Sequence, residues 1–545
     1  MVRHVFSART ENNYLSLRHL RLLHWIEAHE PVAFKCNGWV AYVPGERMKG
    51  QIVTVVIKSI LQAVLISLML LPVWGCQSHR IEPLQIWHTV ILENEFTARD
   101  ATPQSTLRDY LDLEERLFSE LQEKIYEHIE PTNELIYSRY LAGGVQDPVW
   151  PKQNWNRTFE LVPDNITGGA LLLHGLTDSP YSLRRIGEIL YNKGFYVLGM
   201  RLPGHGTVPS ALTRIKWEDW VAASRIGALH VRERLSEGQP FVMAGYSNGG
   251  GLAVKYALDA LNDPSLPVPD RLLLFSPEIG ITPLARIANL NELLSFLPYL
   301  AKFKWASIKP EYDPFKYNSF SMNAAHEAWE VTAAIERQVQ EAYGTDHFKN
   351  FPDVLTFLSW ADTTVKTSAT IQHLYGRLEN SGSELIIFDL NRLDRLASFI
   401  PAVNEPPLLQ LEIRSDLPYR LTVISNIDND SARVVRRTKA PNSKIIDSEP
   451  LEMSWPSGIY SLSHVAIPFA PDDPVYGTGE DQGGIYHGLP LGALQPRGET
   501  HLLTLSLSQL MRLRHNPFFA YVERRIIVEI DKVLQHDNGE APDPN

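Results

Sequence analysis

The stretch with the clearest chemical content is Phe241-Val-Met-Ala-Gly245-Tyr246-Ser247-Asn248-Gly249-Gly250. An apolar run of strand length leads into Gly-x-Ser-x-Gly, and a helix-compatible segment starts at Gly249. A serine hydroxyl is a weak nucleophile alone and a competent one beside a general base. A sharp strand-to-helix turn exposes such a hydroxyl, and flanking glycines let neighbouring backbone come close. Ser247 is therefore the candidate nucleophile. The pentapeptide by itself is common; its place between a buried strand and a helix makes it informative.

Such a turn needs a sheet to stand on, and the sequence supplies one. Ala170–Leu173, Tyr196–Met200, Phe241–Ala244, Leu272–Phe275, Val354–Leu358 and Leu385–Phe388 are short and almost wholly apolar. Runs of that kind suit parallel strands buried on both faces. Helical stretches at Ser182–Lys193, Trp217–Leu235 and Gly249–Leu261 separate them, and the alternation predicts a doubly wound, mostly parallel α/β sheet. This domain is expected over 161–545, with a helical lid insertion at about 281–351 and a second, β-rich insertion at about 391–457. Within the first, Leu290, Leu293, Leu294 and Leu297 share a helical face, either core or the lining of an acyl pocket, and a second helix is expected over Asn323–Ala342. Within the second, Leu409-Gln-Leu-Glu-Ile413 and Leu421-Thr-Val423 alternate, predicting a hairpin or small sheet. Residues 76–160 read as a helical region; Tyr110, Leu113, Leu117, Leu121 and Ile125 keep a helical period, and Thr106 with Asp109 offers a cap.

Three further segments follow in order: Leu171-Leu-Leu-His174-Gly175-Leu176-Thr177, then Arg201-Leu-Pro-Gly204-His205-Gly206 with Trp217-Glu-Asp-Trp220, then Ser359-Trp-Ala-Asp362-Thr-Thr-Val365. With the serine turn they resemble the α/β-hydrolase superfamily, in its carboxylesterase, monoacylglycerol lipase and serine aminopeptidase-like branch. The likeness runs from about Gly168 to Val365 and resumes near His464.

The resemblance implies a serine hydrolase that cleaves acyl esters through an acyl-enzyme. Ser247 is then the nucleophile, His464 the base and Asp362 the acid that orients it, with the backbone N–H groups of Leu176 and Asn248 as oxyanion hole. His464 stands in Ser461-Leu-Ser-His464-Val-Ala, which resembles the family's Ser-His-Val segment, and no histidine lies between Leu390 and it. His487, His501 and His515 are its rivals, and Asp389 is an alternative acid. His174 and His205 read as turn-forming scaffold, and Asp472 with Asp473 as a solvated loop. The substrate implied is a small-molecule or lipid acyl ester. Serine peptidase chemistry and a non-catalytic binding module on the same fold are the alternatives. With no metal-ligand pattern and no glycine-rich phosphate loop, no cofactor or metal is expected.

Composition narrows the partners. A formal net charge of -12 leaves no cation excess for phosphates, so nucleic acid is not an expected partner. Arg433, Arg436, Arg437 and Lys439 are only a thin cluster, read as a solvated strand face. Two cysteines, Cys36 and Cys76, exclude a disulfide framework and a cysteine-based zinc site.

The apolar run Ile52–Gly75, preceded by Arg47 and Lys49, is followed at once by Cys76. Its ending Val73-Trp74-Gly75-Cys76 resembles a bacterial lipobox. That implies a signal over 48–75, a lipidated Cys76 as first mature residue, and a cell-envelope lipoprotein facing the periplasm or exterior. An uncleaved membrane anchor using the same run is the alternative. Residues 1–47 then read as an upstream extension, since Met48-Lys-Gly50 makes a natural start. The oligomeric state is not legible.

Overall fold

The computed structural model describes residues 83–132, 135–149, 153–280, 298–379, 381–394, 406–479, 488–492 and 512–537, and the backbone of 32–36 and 39–43. The chain divides into two units, Met1–Glu82 and Pro83–Asn545. In the first, strands β1 (Val32–Cys36) and β2 (Trp39–Val43) form an antiparallel hairpin. The 52–75 run, Cys76 and the Leu290–Leu297 face lie outside the described residues. Among the described residues no helix is long and apolar enough to cross a membrane.

The second unit is built on one ten-stranded sheet. Its strands are β3 (Phe159–Leu161), β4 (Gly168–Leu173), β5 (Phe195–Met200), β6 (Phe241–Tyr246) and β7 (Arg271–Phe275). A separate two-stranded pair, β8 (Trp305–Ser307) and β9 (Phe320–Ser321), comes next in the chain. The large sheet continues with β10 (Asp353–Ser359), β11 (Glu384–Phe388), β12 (Arg420–Asn426), β13 (Arg433–Lys439) and β14 (Ile446–Ser454). Across it the order is β14-β13-β12-β11-β10-β7-β6-β4-β5-β3. From β5 through β12 neighbours are parallel; β3 at one edge and β13 and β14 at the other are antiparallel.

Alternation along each strand explains the two layers of helices. Leu171 and Leu173 of β4 enter one core with Trp220 and Val231, whereas Ala170 and Leu172 enter the other with Ile186 and Val522. Helices α1 (Leu107–Lys124), α3 (Trp217–Glu233), α4 (Asn248–Asn262) and α5 (Met322–Ala342) contribute to the first core; α2 (Arg184–Tyr191) and α7 (Phe519–Asp537) contribute to the second. Each large apolar side chain fully buried this way stabilises the fold by about 1.5–3 kcal/mol. Local sequence sets where helices begin. The Thr106 side chain accepts from the Asp109 N–H while the Asp109 carboxylate accepts from the Thr106 N–H, a reciprocal cap on α1.

The segment after β11 departs from expectation. Leu409–Ile413 is not a strand: it belongs to helix α6 (Pro406–Ile413). A strand would set Leu409, Leu411 and Ile413 on one face, yet Leu409 and Ile413 are exposed while Leu408, Leu411 and Glu412 are buried. That is helical spacing, and the paired prolines at 406 and 407 suit a first helical turn, where no backbone donor is lost. Glu412 is held by Arg437 of β13 at 2.7 and 3.1 Å. Helix α6 thus lies in the crossover that lets β12 run parallel to β11, and Arg420–Asn426 extends the main sheet. Three of the four β13 cations are engaged rather than merely solvated: Arg437 with Glu412, Arg436 with Glu449, and the Lys439 ammonium on the Glu412 carbonyl at 2.7 Å, while Arg433 is exposed.

Candidate active site

Ser247 stands between β6 and α4 with φ 55° and ψ −120°. A non-glycine residue at positive φ stores about 1–3 kcal/mol of strain and persists only where its surroundings enforce it. Those surroundings are visible. The Ser247 N–H donates to the Phe275 carbonyl at 3.0 Å, and its carbonyl accepts from Gly251 at 3.1 Å and Glu278 at 2.9 Å. The two motif glycines are required by close approach. A Cβ on Gly245 would collide with the Gly249 carbonyl, and one on Gly249 with the Leu173 carbonyl. The His174–Thr177 turn abuts the serine: a Cβ on Gly175 would meet that of Ser247 at 3.2 Å.

Leu176 is half-buried in that turn, and among the described residues its N–H has no acceptor. Thr177 beside it has φ 64°, and its carbonyl accepts from the Tyr317 N–H at 2.7 Å, which fixes the turn. Asn248 is the first residue of α4, so its N–H lies outside the helix's own hydrogen-bond ladder. Asn248 thus offers its N–H at a helix N-terminus, where negative charge is favoured.

Asp362 follows β10 and His464 follows β14, 102 residues later, yet His464 Nδ1 lies 2.7 Å from Asp362 Oδ2. The Asp362 side chain is fully shielded from solvent and that of His464 nearly so. Burial works against the Asp362 carboxylate, but the His464 contact and the Val365 and Thr364 N–H groups outweigh it and hold its pKa below the usual range. His464 also packs against Tyr246, ring centroids 5.3 Å apart. Among the described residues no hydrogen bond joins the imidazole to the Ser247 hydroxyl, a contact that unliganded sites often leave loose.

Comparison with known protein families agrees with this architecture. Residues 170–439 match the alpha/beta hydrolase family. The chain has the α/β-hydrolase fold. Over 89 residues it is 36% identical to a thermostable monoacylglycerol lipase of Bacillus sp. (strain H-257), a stretch that covers 16% of this chain and 34% of that protein. The chain thus spans about a third of the length of this curated relative. Solved structures of similar outline include the Paleococcus ferrophilus monoacylglycerol lipase, with 18% identity over 43% of this chain and 88% of the other, TM-score 0.30. A soluble variant of the Saccharomyces cerevisiae monoglyceride lipase has 15% identity over 43% of this chain and 82% of the other, TM-score 0.29.

Within the hydrolase domain the other candidates are engaged elsewhere. Asp389 accepts from Arg392 at 2.8 and 3.0 Å and from Ser425 Oγ at 2.7 Å, an internal ion pair. His515 sits beyond Arg514, against Tyr476, and burial lowers its pKa. His487 and His501 lie outside the described residues. His174 Nδ1 donates to the Gly175 carbonyl at 2.9 Å and its Nε2 accepts from the Leu202 N–H at 3.0 Å, so burial holds it neutral. His205 stacks edge-on against it, centroids 4.9 Å apart, and burial lowers its pKa to about 4. Asp473 is not solvated: it is buried and accepts from Tyr181 Oη and from the Val475 and Tyr476 N–H groups, because the prolines around it fold a tight turn against α2. Asp472 alone is exposed.

Three supporting residues escaped sequence reasoning. Ser359 Oγ donates to the Leu462 carbonyl at 2.9 Å, and Asn391 donates to the Tyr460 carbonyl at 2.8 Å and the Ile459 carbonyl at 2.7 Å. These bonds tie the segment before His464 to the ends of β10 and β11. The third is Glu278, fully buried, with one carboxyl oxygen lacking a partner among the described residues. Burial, with Asp362 nearby, raises its pKa to about 7. Ser359 ends a buried strand and could have been singled out; nothing in the local sequence distinguishes Asn391 or Glu278.

Proposed function

We propose that the chain is a serine hydrolase that cleaves carboxylic esters, with Ser247, His464 and Asp362 as its triad. One observation carries the proposal: the buried 2.7 Å contact of His464 Nδ1 with Asp362 Oδ2, at the strand ends where Ser247 holds its strained turn. The Asp362 carboxylate accepts a hydrogen bond from Nδ1–H, which fixes the tautomer with Nε2 as the basic nitrogen. Ser247 Oγ attacks the acyl carbonyl as Nε2 takes its proton. The Leu176 and Asn248 N–H groups receive the oxyanion, each such donor being worth about 10²–10³ in rate. Collapse of the tetrahedral intermediate expels the alcohol with the proton from His464, leaving an acyl-enzyme. Water activated by the same nitrogen then releases the acid and restores the serine.

Small-molecule or lipid acyl esters are the substrates this reading favours, in keeping with the monoacylglycerol lipase relative. Lipidation of Cys76, and attachment to a cell-envelope membrane through it or through the 52–75 run, belong to the same proposal. A p-nitrophenyl ester series of increasing acyl length tests the activity. Saturable hydrolysis by the intact chain and none by Ser247→Ala is the expected result; equal hydrolysis by both removes Ser247 from the mechanism.

A further inference from the structure

Beside His464 the hydrolase domain holds a second cavity of about 220 Å³. Its wall touches the candidate site at three points. Asp178 belongs to the oxyanion turn, Val465 follows His464, and Arg512 donates to Thr364 Oγ1, in the Asp362 loop, at 3.2 Å. A larger cavity of about 820 Å³ is lined by Phe241, Arg271 and Asp353, the first residues of β6, β7 and β10, and so opens at the opposite end of the strands.

The smaller cavity is rich in cations. Lys309, Lys316, Arg512 and Arg514 line it against two carboxylates, Asp178 and Asp313. Asp313 is fully engaged: it accepts from Arg514 at 2.9 Å and from Tyr476 Oη at 2.5 Å. Asp178 accepts from the Ser179 N–H at 2.9 Å, and burial raises its pKa to about 6. Among the described residues, Lys309, Lys316 and Arg512 make no ion pair with any carboxylate. Lys316 is acted on by Asp178 and Asp313 across the cavity but makes no direct ion pair with either, and burial lowers its pKa. In a chain whose formal net charge is -12, this excess of four cations over two carboxylates next to the candidate centre is a local exception.

We propose that this cavity binds an anionic group, carboxylate or phosphate, carried by the ester substrate, with Lys309, Lys316 and Arg512 as its counter-charges. The proposal rests on the serine-esterase reading and adds the substrate class. Lys309 and Lys316 are half-buried and so less screened by solvent than Arg512, which is exposed at the cavity's rim. The anion lies on the alcohol side if the cavity receives the leaving group and on the acyl side if it receives the acid.

Two ester pairs separate these cases with the full chain: butyryl glycerophosphate against butyrylglycerol, and p-nitrophenyl hemiglutarate against p-nitrophenyl pentanoate. In at least one pair the anionic ester should have a kcat/KM about tenfold higher, the scale of one or two charged hydrogen bonds. Lys316→Met and Arg512→Gln should each erase most of that preference, as should raised ionic strength for Arg512. Equal or better use of the neutral ester in both pairs overturns the proposal, as does a preference that survives both substitutions. Binding of the same esters to Ser247→Ala, which needs no turnover, distinguishes the two readings. Tighter binding of the anionic ester without hydrolysis by the intact chain upholds the cavity and refutes the esterase; hydrolysis with no anionic preference in binding or turnover does the reverse.

Discussion

The Ser247 turn and the His464 turn reach the same place by different means. Ser247 is set by a ten-residue stretch: a buried strand, two glycines that admit the Leu173 and Gly249 carbonyls, and a helix that starts at Asn248. His464 is set from far away. Its 3₁₀ turn follows three extra strands and is tied down by Ser359, Asn391 and a Ser463 hydroxyl bond to the Leu513 carbonyl. A nucleophile that needs strain is held by steric exclusion, which is local and stiff. A base that needs only orientation is held by a few hydrogen bonds, each worth about 0.5–1.5 kcal/mol. The two turns should therefore fail differently.

The largest effect is chemical. Ser247→Ala and His464→Ala should each lower kcat for an ester by about 10⁴-fold or more, and the double variant should be no worse than the weaker single, because triad members act as a unit. Steady-state kinetics check this; additive losses would separate the two residues. Thermal melting should distinguish Ser247→Ala, with Tm within about 2 °C of the parent, from the next case.

Gly249→Ala attacks the stiff turn. A Cβ there meets the Leu173 and His174 backbone, which cannot yield without shifting β4. A stability loss of about 3 kcal/mol is expected, read as a lower midpoint in urea unfolding. A variant as stable as the parent would show that the elbow tolerates slack.

Glu278→Gln sits between the two turns, its N–H on Ser247 and its carboxyl near Asp362. The folded pKa of about 7 lies above the ordinary 4.5. Below the lower value the carboxyl is protonated whether folded or unfolded and costs nothing. As pH rises from 4.5 to about 7 the folded state loses stability relative to the unfolded one, and above that the loss is constant because the carboxyl is ionised in both. The glutamine variant should thus gain on the parent by something on the order of 2 kcal/mol between pH 4.5 and pH 9. A pH-independent difference would contradict this.

The smallest effects belong to the tethers of His464. Ser359→Ala and Asn391→Ala should each lower stability by about 1 kcal/mol and kcat roughly three- to tenfold, with KM little changed. Loss comparable to that of the imidazole itself would mean that the base, too, is held stiffly.

The same contrast explains what could be read from the sequence. Six central strands, the three crossover helices and the elbow were legible because each is announced by its own residues, such as the apolar run Phe241–Tyr246 leading into Gly-x-Ser-x-Gly. The extension was not. Leu409-Gln-Leu-Glu-Ile413 alternates like a strand, but its two faces are decided by Arg437 and the prolines before it, and it folds as a helix. Asn391 and Glu278 gain their meaning only from partners about 70 and 30 residues distant, at Ile459 and Ser247. Asp473 likewise looks solvated until Tyr181 is seen to cover it.

The central claim is that Ser247 is a nucleophile activated by His464. Fluorophosphonate labelling of the full chain, followed by peptide mapping, tests it most directly. A single adduct on Ser247 is expected, absent from Ser247→Ala and formed far more slowly in His464→Ala. An adduct on another serine, or labelling of Ser247 at the same rate without His464, would contradict it.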